Sequence, residues 1–243
     1  MSIPFRDFSA WLQEAGMPHG TAELAALLGM KRTTLQNQKI RGRMTVYTVI
    51  SAARAAGLNP LDVLGQFPGY TDLIDNRLPV TSAELLSQLT HTDVLVHLLS
   101  RVRADFSHMM AHVELSKIPN EESVRTWIDA IDPGDLRRKV TERSGIAPSN
   151  FSAQLTDNRL TPELAILISR LSGVSSANGL VVSGVVTPEE AGWPLYGRDN
   201  ALSEISDIDL IDLASDRLTA LRRLTKKKVD VVEENKNYLE ALG

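Results

Sequence analysis

Cysteine is absent from this chain, which excludes disulfides, thiolate metal sites and a cysteine nucleophile, and fits a reducing compartment. Also absent is any stretch approaching the ~18 apolar residues needed to span a bilayer. The opening residues, "MSIPFRDFSAWLQEAG", show no basic segment followed by an apolar run, so no targeting signal is read there. A cytoplasmic protein without membrane contact is expected. There is no glycine-rich loop to cradle phosphate, no Ser/His/Asp constellation, and no carboxylate pair that stands out from an acidic background. Neither an enzyme nor a cofactor is therefore expected. Aromatic residues are sparse at 5%, yet 43% hydrophobic and 23% charged residues are ordinary for a globular chain and argue against disorder.

What the chain does have is an uneven distribution of charge. Its formal net charge is −4, but between His19 and Pro60 the cations Lys31, Arg32, Lys39, Arg41, Arg43 and Arg54 face a single acid, Glu23. That window carries +5 and leaves −9 for the remainder. Such asymmetry favours one face turned toward a polyanion and a body that resists nonspecific sticking to it.

At 243 residues the chain is long enough for two compact units, each with a core. Compared with itself at an offset of 116 residues, it pairs Trp11 with Trp127, Gly29 with Gly145, Gln38 with Gln154, Arg43 with Arg159, Arg54 with Arg170 and Gly57 with Gly173. The register persists to Leu86 with Leu202, Asp93 with Asp209 and Arg101 with Arg217. Apolar positions follow, as with Leu24 and Val140 or Leu35 and Phe151. We read this as a duplication. The expected division is residues 1–116, with a core at 5–66, then 117–232, with a core at 121–182, then a C-terminal tail at 233–243.

Both halves read as helical. Phe5, Phe8, Trp11 and Leu12 recur at helical spacing before Gly16. "TAELAALLG" is a short amphipathic helix stopped by Gly29, and "RTTLQNQKI" is the next. "TVYTVISAARAAG" has Thr45 as N-cap, buries Val46, Val49, Ile50 and Ala53, and stops at Gly57. The second half repeats this helix with Thr161 as cap, Pro162 at the first helical position and Gly173 at the end. Thr81 and Glu84 have capping-box spacing. "GLVVSGVV", 179–186, is β-branched enough to be either strand or helix.

Helix, glycine turn, helix is the order a helix-turn-helix needs. Ala25 is small where the two helices cross, Gly29 takes a positive φ in the turn, and Leu24, Leu28 and Leu35 fill the space between. The outward face of the second helix would then carry Lys31, Arg32, Thr33, Gln36 and Asn37, side chains that can pair with guanine and adenine edges in the major groove. Lys39, Arg41 and Arg43 follow where phosphate contacts set register.

The stretch "TAELAALLGMKRTTLQNQKIRGRMTVYTVISAARAAGLNPLDVL" resembles the Cro and phage-repressor type of helix-turn-helix domain, the XRE family, over residues 5–66. One departure is that this chain has Gln38 and Lys39 where the family usually places an apolar and then an acidic residue. "LRRKVTERSGIAPSNFSAQLTDNRLTPELAILISRLSGV" resembles the same family, with different groups on its recognition helix. Under the offset, Lys31 becomes Ala147, Arg32 becomes Pro148, Asn37 becomes Ala153 and Arg41 becomes Asp157. Ser149, Asn150, Ser152 and Gln154 remain there, with Arg159 after it and Arg137, Arg138, Lys139 and Arg143 on the preceding helix, better placed to grip backbone than to read bases.

Weaker signals do not change this reading. His108 and His112 are four apart, near Asp105 and Glu114, but no glutamate follows His108 as a zinc-protease motif demands, so a polar helix face is read and no metal. Asp93 and His97, also four apart, read as a helical pair. The tail aligns Leu218, Leu221 and Leu224 before Lys226, Lys227 and Lys228. It is read as extending a helix that pairs two chains, or as packing back on the second half.

The expectation is an all-α protein of two homologous helix-turn-helix domains in tandem with supporting helices and a C-terminal helical tail. Its partner would be double-stranded DNA, bound by a monomer using both units or by a homodimer through the C-terminal helix. The resemblance implies a transcriptional regulator, a repressor of bacterial, phage or prophage-immunity type. The competing expectation is a helical interaction scaffold, such as an antitoxin or assembly factor, whose second unit does not touch DNA.

Overall fold

A computed structural model describes residues 2–75, 77–103, 105 and 113–242, without the side chains of 227, 228 and 233–242. The fold is all-α. The first half holds α1 (Phe5–Glu14), α2 (Thr21–Leu27), α3 (Arg32–Ile40), α4 (Val46–Ala55), α5 (Pro60–Leu64), α6 (Asp72–Asp75), α7 (Ser82–Ser87) and α8 (His91–Val102). The second holds α9 (Ser123–Ile131), α10 (Leu136–Ser144), α11 (Pro148–Thr156), α12 (Pro162–Ser172), α13 (Ser176–Val182), α14 (Gly197–Glu204) and α15 (Asp207–Leu242). The strand content among the described residues is one short antiparallel ladder, β1 (Ile3–Pro4) on β2 (Arg43–Met44), which fastens the start of the chain beside the end of α3.

Local chemistry accounts for the helix ends. Thr45 Oγ1 accepts from the Thr48 N–H at 3.3 Å, and Thr161 Oγ1 from the Leu164 N–H at 3.3 Å. Thr81 and Glu84 form the reciprocal capping box that their spacing predicts. The ambiguous segment at 179–186 is not a strand. Helix α13 covers Ser176–Val182, opened by the Ser175 side chain accepting from the Ala177 N–H. Its residues are buried on every side, so its β-branched character reflects packing rather than sheet formation. At Gly179 a Cβ would sit 2.6 Å from the Ala165 carbonyl, so the missing side chain lets α13 lie close against α12.

Helix bounds recur at the 116-residue offset. Shifted so, α3 falls on 148–156, the bounds of α11; α4 falls on 162–171, α5 on 176–180 and α8 on 207–218, inside α12, α13 and α15. The buried apolar side chains do not form one core per half. A single cluster runs from Ile3 to Ala201 through Phe8, Leu24, Leu35, Ile50, Leu64, Trp127, Ile166 and Val181. A smaller cluster of Leu89, Val94, Leu202, Leu210 and Ala214 lies where α7 and α8 meet α14 and α15.

Helix α15 is 36 residues long, about 54 Å at 1.5 Å per residue, and passes residue 232 without a break. It packs from its start on α8, in the first half, burying Leu210, Ala214 and Ala220, while Arg223 reaches Glu122 at 2.6 Å. Asp93 does not pair with His97. Its Oδ2 accepts from the N–H and hydroxyl of Thr90, both at 2.8 Å, and its Oδ1 from the Ser116 N–H at 2.9 Å. A capping role at the third helical position turns the carboxyl back toward the helix start and away from the next turn. No helix among the described residues is long and apolar enough to cross a membrane.

Glu84 is the most demanding buried group. It is fully buried, and its carboxyl accepts from the Thr81 N–H (3.0 Å), Trp127 Nε1 (3.1 Å) and Asn178 Nδ2 (3.0 Å). Asn178 Oδ1 in turn accepts from Trp193 Nε1 at 2.8 Å. One residue of the first half thus satisfies donors on two elements of the second. Glu84→Ala should lower the free energy of unfolding by about 3–5 kcal/mol, because it strands buried N–H donors as well as leaving a cavity. Urea denaturation measures this; a loss below 1 kcal/mol would show that the network does not hold the halves together.

Candidate nucleic-acid interface

Helices α2 and α3 pack together across a short turn, in the order expected of a helix-turn-helix. Ala25 is 2% exposed at the crossing, and Leu24 and Leu35 are fully buried, with Leu28 half-buried beside them. In the turn, Gly29 has φ +64°; its N–H donates to Ala26 O at 3.2 Å, and the Met30 N–H donates to Ala25 O at 3.0 Å. This double closure needs the left-handed residue that glycine adopts without strain.

Helix α3 shows two faces. Leu35 and Gln38 point inward, while Lys31, Arg32, Thr33, Gln36 and Asn37 are exposed, as are Arg41 and Arg43 beyond its end. Lys31 occupies the N-cap position and makes no capping hydrogen bond, so no side chain caps the first-turn N–H groups of α3. Lys31, Arg32, Arg41 and Arg43 have neither an ion pair nor a side-chain hydrogen bond among the described residues. Four cations without internal compensation among the described residues therefore flank α3, two at its start and two beyond its end, available to an external anion.

Two residues late in α3 have internal tasks. Gln38 is 8% exposed, and its Oε1 accepts from the Thr45 N–H at 2.9 Å and the Thr48 hydroxyl at 3.0 Å, tying α3 to the start of α4. Lys39 was expected among the phosphate-contacting cations, but its Nζ turns back toward α2, donating to His19 O (3.0 Å) and Thr21 Oγ1 (3.1 Å) and lying 5.5 Å from the Phe5 ring centre. Partial burial lowers its pKa. The position one after buried Gln38 lies beside the groove between α2 and α3, and a long flexible side chain there finds main-chain acceptors within reach.

The same scaffold carries different electrostatics in the second half. Gly145 has φ +70°, Phe151 and Leu155 are buried, and Ser149, Asn150 and Ser152 are exposed on α11. Four of its five cations, all but Arg143, are internally matched. Arg137 pairs with Asp129 (2.7 Å), Arg138 with Asp135 (2.9 Å) and Glu142 (2.9 Å), Lys139 with Asp135 (2.8 Å), and Arg159 approaches Asp157 at 3.4 Å. Lys139, then Arg138, hold the Asp135 carboxyl below its usual range. Gln154, expected to contact DNA, occupies the position equivalent to buried Gln38; it is half-buried and its Oε1 faces inward. Arg143 is exposed at the end of α10.

Reading the sequence overlooked Tyr47. It is 52% exposed near the start of α4 and lines a groove with Asn158, Arg159 and Thr161 of the second half, so the two halves meet beside the end of α11. Its aromatic ring among the exposed helix positions was the available signal. His108 and His112 lie outside the described residues, and Asp105 pairs with Arg103 at 2.6 Å. No protein-family model matches the chain, and neither curated proteins nor solved structures yield a match.

Lys39→Ala should cost about 1 kcal/mol through the lost charged hydrogen bonds, discounted for partial exposure, and lower Tm by a few degrees. Arg41→Ala should leave Tm unchanged. Equal melting of both variants would return Lys39 to the set of free surface cations.

Proposed function

We propose that the protein is a sequence-specific double-stranded DNA-binding regulator, most plainly a repressor that occupies a promoter, with α3 in the major groove. The observation that carries this reading is the exposed, internally unpaired set Lys31, Arg32, Arg41 and Arg43 around a helix face of Thr33, Gln36 and Asn37. Arg32, Gln36 and Asn37 match the donor and acceptor patterns of base edges, and Arg41 and Arg43 suit phosphates. The matched cations of the second unit support a division of labour: α3 reads bases, while α10 and α11 contribute fewer counterion-releasing contacts. The same ion pairs favour one competing reading, in which the second unit is a packing or partner-binding module.

The test is binding to a site selected from a random duplex pool, followed by fluorescence anisotropy across a salt series. Affinity should fall steeply with salt. Arg32→Ala and Gln36→Ala should each weaken the selected site about 10–100-fold, with less effect on unrelated DNA. Arg41→Ala should weaken both alike and shrink the salt slope by about one ion. A selected site insensitive to the Arg32 and Gln36 changes would overturn the assignment of α3. Failure to select any site would favour the interaction-scaffold reading.

A further inference from the structure

The contacts between the halves are reciprocal. Arg54 Nη2 donates to Val185 O at 3.0 Å, and Arg170 Nη2 donates to Gly69 O at 2.7 Å. Arg170 lies 116 residues after Arg54, and Val185 lies 116 after Gly69. Beside them, Arg54 pairs with Glu190 at 2.7 Å and Arg170 Nε with Asp72 at 3.0 Å. A second set obeys the same rule. Arg101 donates to Leu202 O (2.7 Å) and Ile205 O (2.8 Å), while Arg217 donates to Leu86 O (3.0 Å) and Leu89 O (2.7 Å). The offset again converts each arginine and each acceptor into its counterpart.

An operation that carries the first half onto the second, and also the second back onto the first, is a two-fold rotation. A simple translation of one unit along the chain would make each contact once and in one direction only. The packing agrees, because α4 lies on α12, α7 on α14 and α8 on α15, each element against its own counterpart, as elements do beside a two-fold axis. Tyr47 and its counterpart Glu163 are also neighbours: burial first, and then the Glu163 carboxylate, raise the Tyr47 pKa. Because Tyr47 shares a groove with Asn158 and Arg159, which follow α11, the C-terminal end of that recognition helix approaches the axis. The rotation brings the end of α3 there as well.

We infer that one chain is an internal dimer, which takes as a monomer a DNA site of two inverted, unequal halves, the stronger read by α3 and the weaker contacted by α11. This rests on the DNA-binding reading above and adds the orientation, which tandem order in the sequence would suggest is direct. Inversion follows because a two-fold axis of the protein can coincide with a dyad of duplex DNA.

The absence of cysteine supplies the test. Thr33→Cys and Ser149→Cys place single thiols at equivalent positions of α3 and α11, each to carry an iron chelate that cleaves nearby DNA on the selected site. Inversion predicts cuts related by a dyad, on opposite strands, with centres about one helical turn apart. Native mass spectrometry should find one chain per duplex. A hydroxyl-radical footprint of the unmodified protein should extend past the base-read half on the side of the dyad. Cuts repeating in the same direction on one strand, no cuts from the Ser149→Cys protein together with a one-sided footprint, or two chains per duplex would each overturn the internal dimer while leaving DNA binding intact. Absence of any selected site would remove both readings.

Discussion

Four arginines fix how this molecule is put together. Arg101 and Arg217 each spread a guanidinium over main-chain carbonyls at the end of a helix in the opposite half, α14 for Arg101 and α7 for Arg217. Those carbonyls sit at the negative end of the helix dipole, where a fixed cation is favoured. Arg217 is 91% buried, and desolvation lowers its pKa, so its geometry has to be good for the arrangement to be stable. Arg54 and Arg170 repeat the device at the other junction, with Glu190 and Asp72 completing each pair. Given these contacts, α8 must lie on α15 and α4 on α12, and the single core from Ile3 to Ala201 follows.

The buried network around Glu84 breaks the symmetry. Its counterpart under the offset is Asn200, and Asn178, which donates to it, corresponds to Asp62. The two halves share a scaffold and have diverged where they meet as well as where they face solvent. The solvent-facing divergence bears on the proposed function. Among the described residues, Lys31, Arg32, Arg41 and Arg43 of the first unit pair with no acid, whereas on the second Asp129, Asp135 and Glu142 pair with Arg137, Arg138 and Lys139 and leave Arg143 exposed. Released counterions drive association with a polyanion, and a cation already paired within its own fold contributes less of that free energy.

Much of this was legible in the residues. Helix starts at Thr45, Thr81 and Thr161, stops at Gly29, Gly57 and Gly173, and the exposed face of α3 depend on interactions within a few residues, and such patterns are written locally. The turn of Lys39 toward α2 was not legible, because its acceptors, His19 O and Thr21 Oγ1, lie roughly twenty residues upstream, and composition says nothing of such neighbours. The inward turn of Gln154 would have been legible from its register with Gln38, had the inward direction of Gln38 been known. The strand-or-helix ambiguity at 179–186 was resolved by burial on every side of α13, a property of its surroundings.

The sequence by itself determined the helical class, the positions of the turns, the 116-residue register and the concentration of positive charge near α3, since each is set by propensity, capping or local charge. Only the tertiary structure decided that the halves share one core, that they face each other across a two-fold axis, and which cations remain free. Those outcomes depend on contacts between residues about a hundred positions apart, where a guanidinium chooses among acceptors by distance and burial rather than by order along the chain.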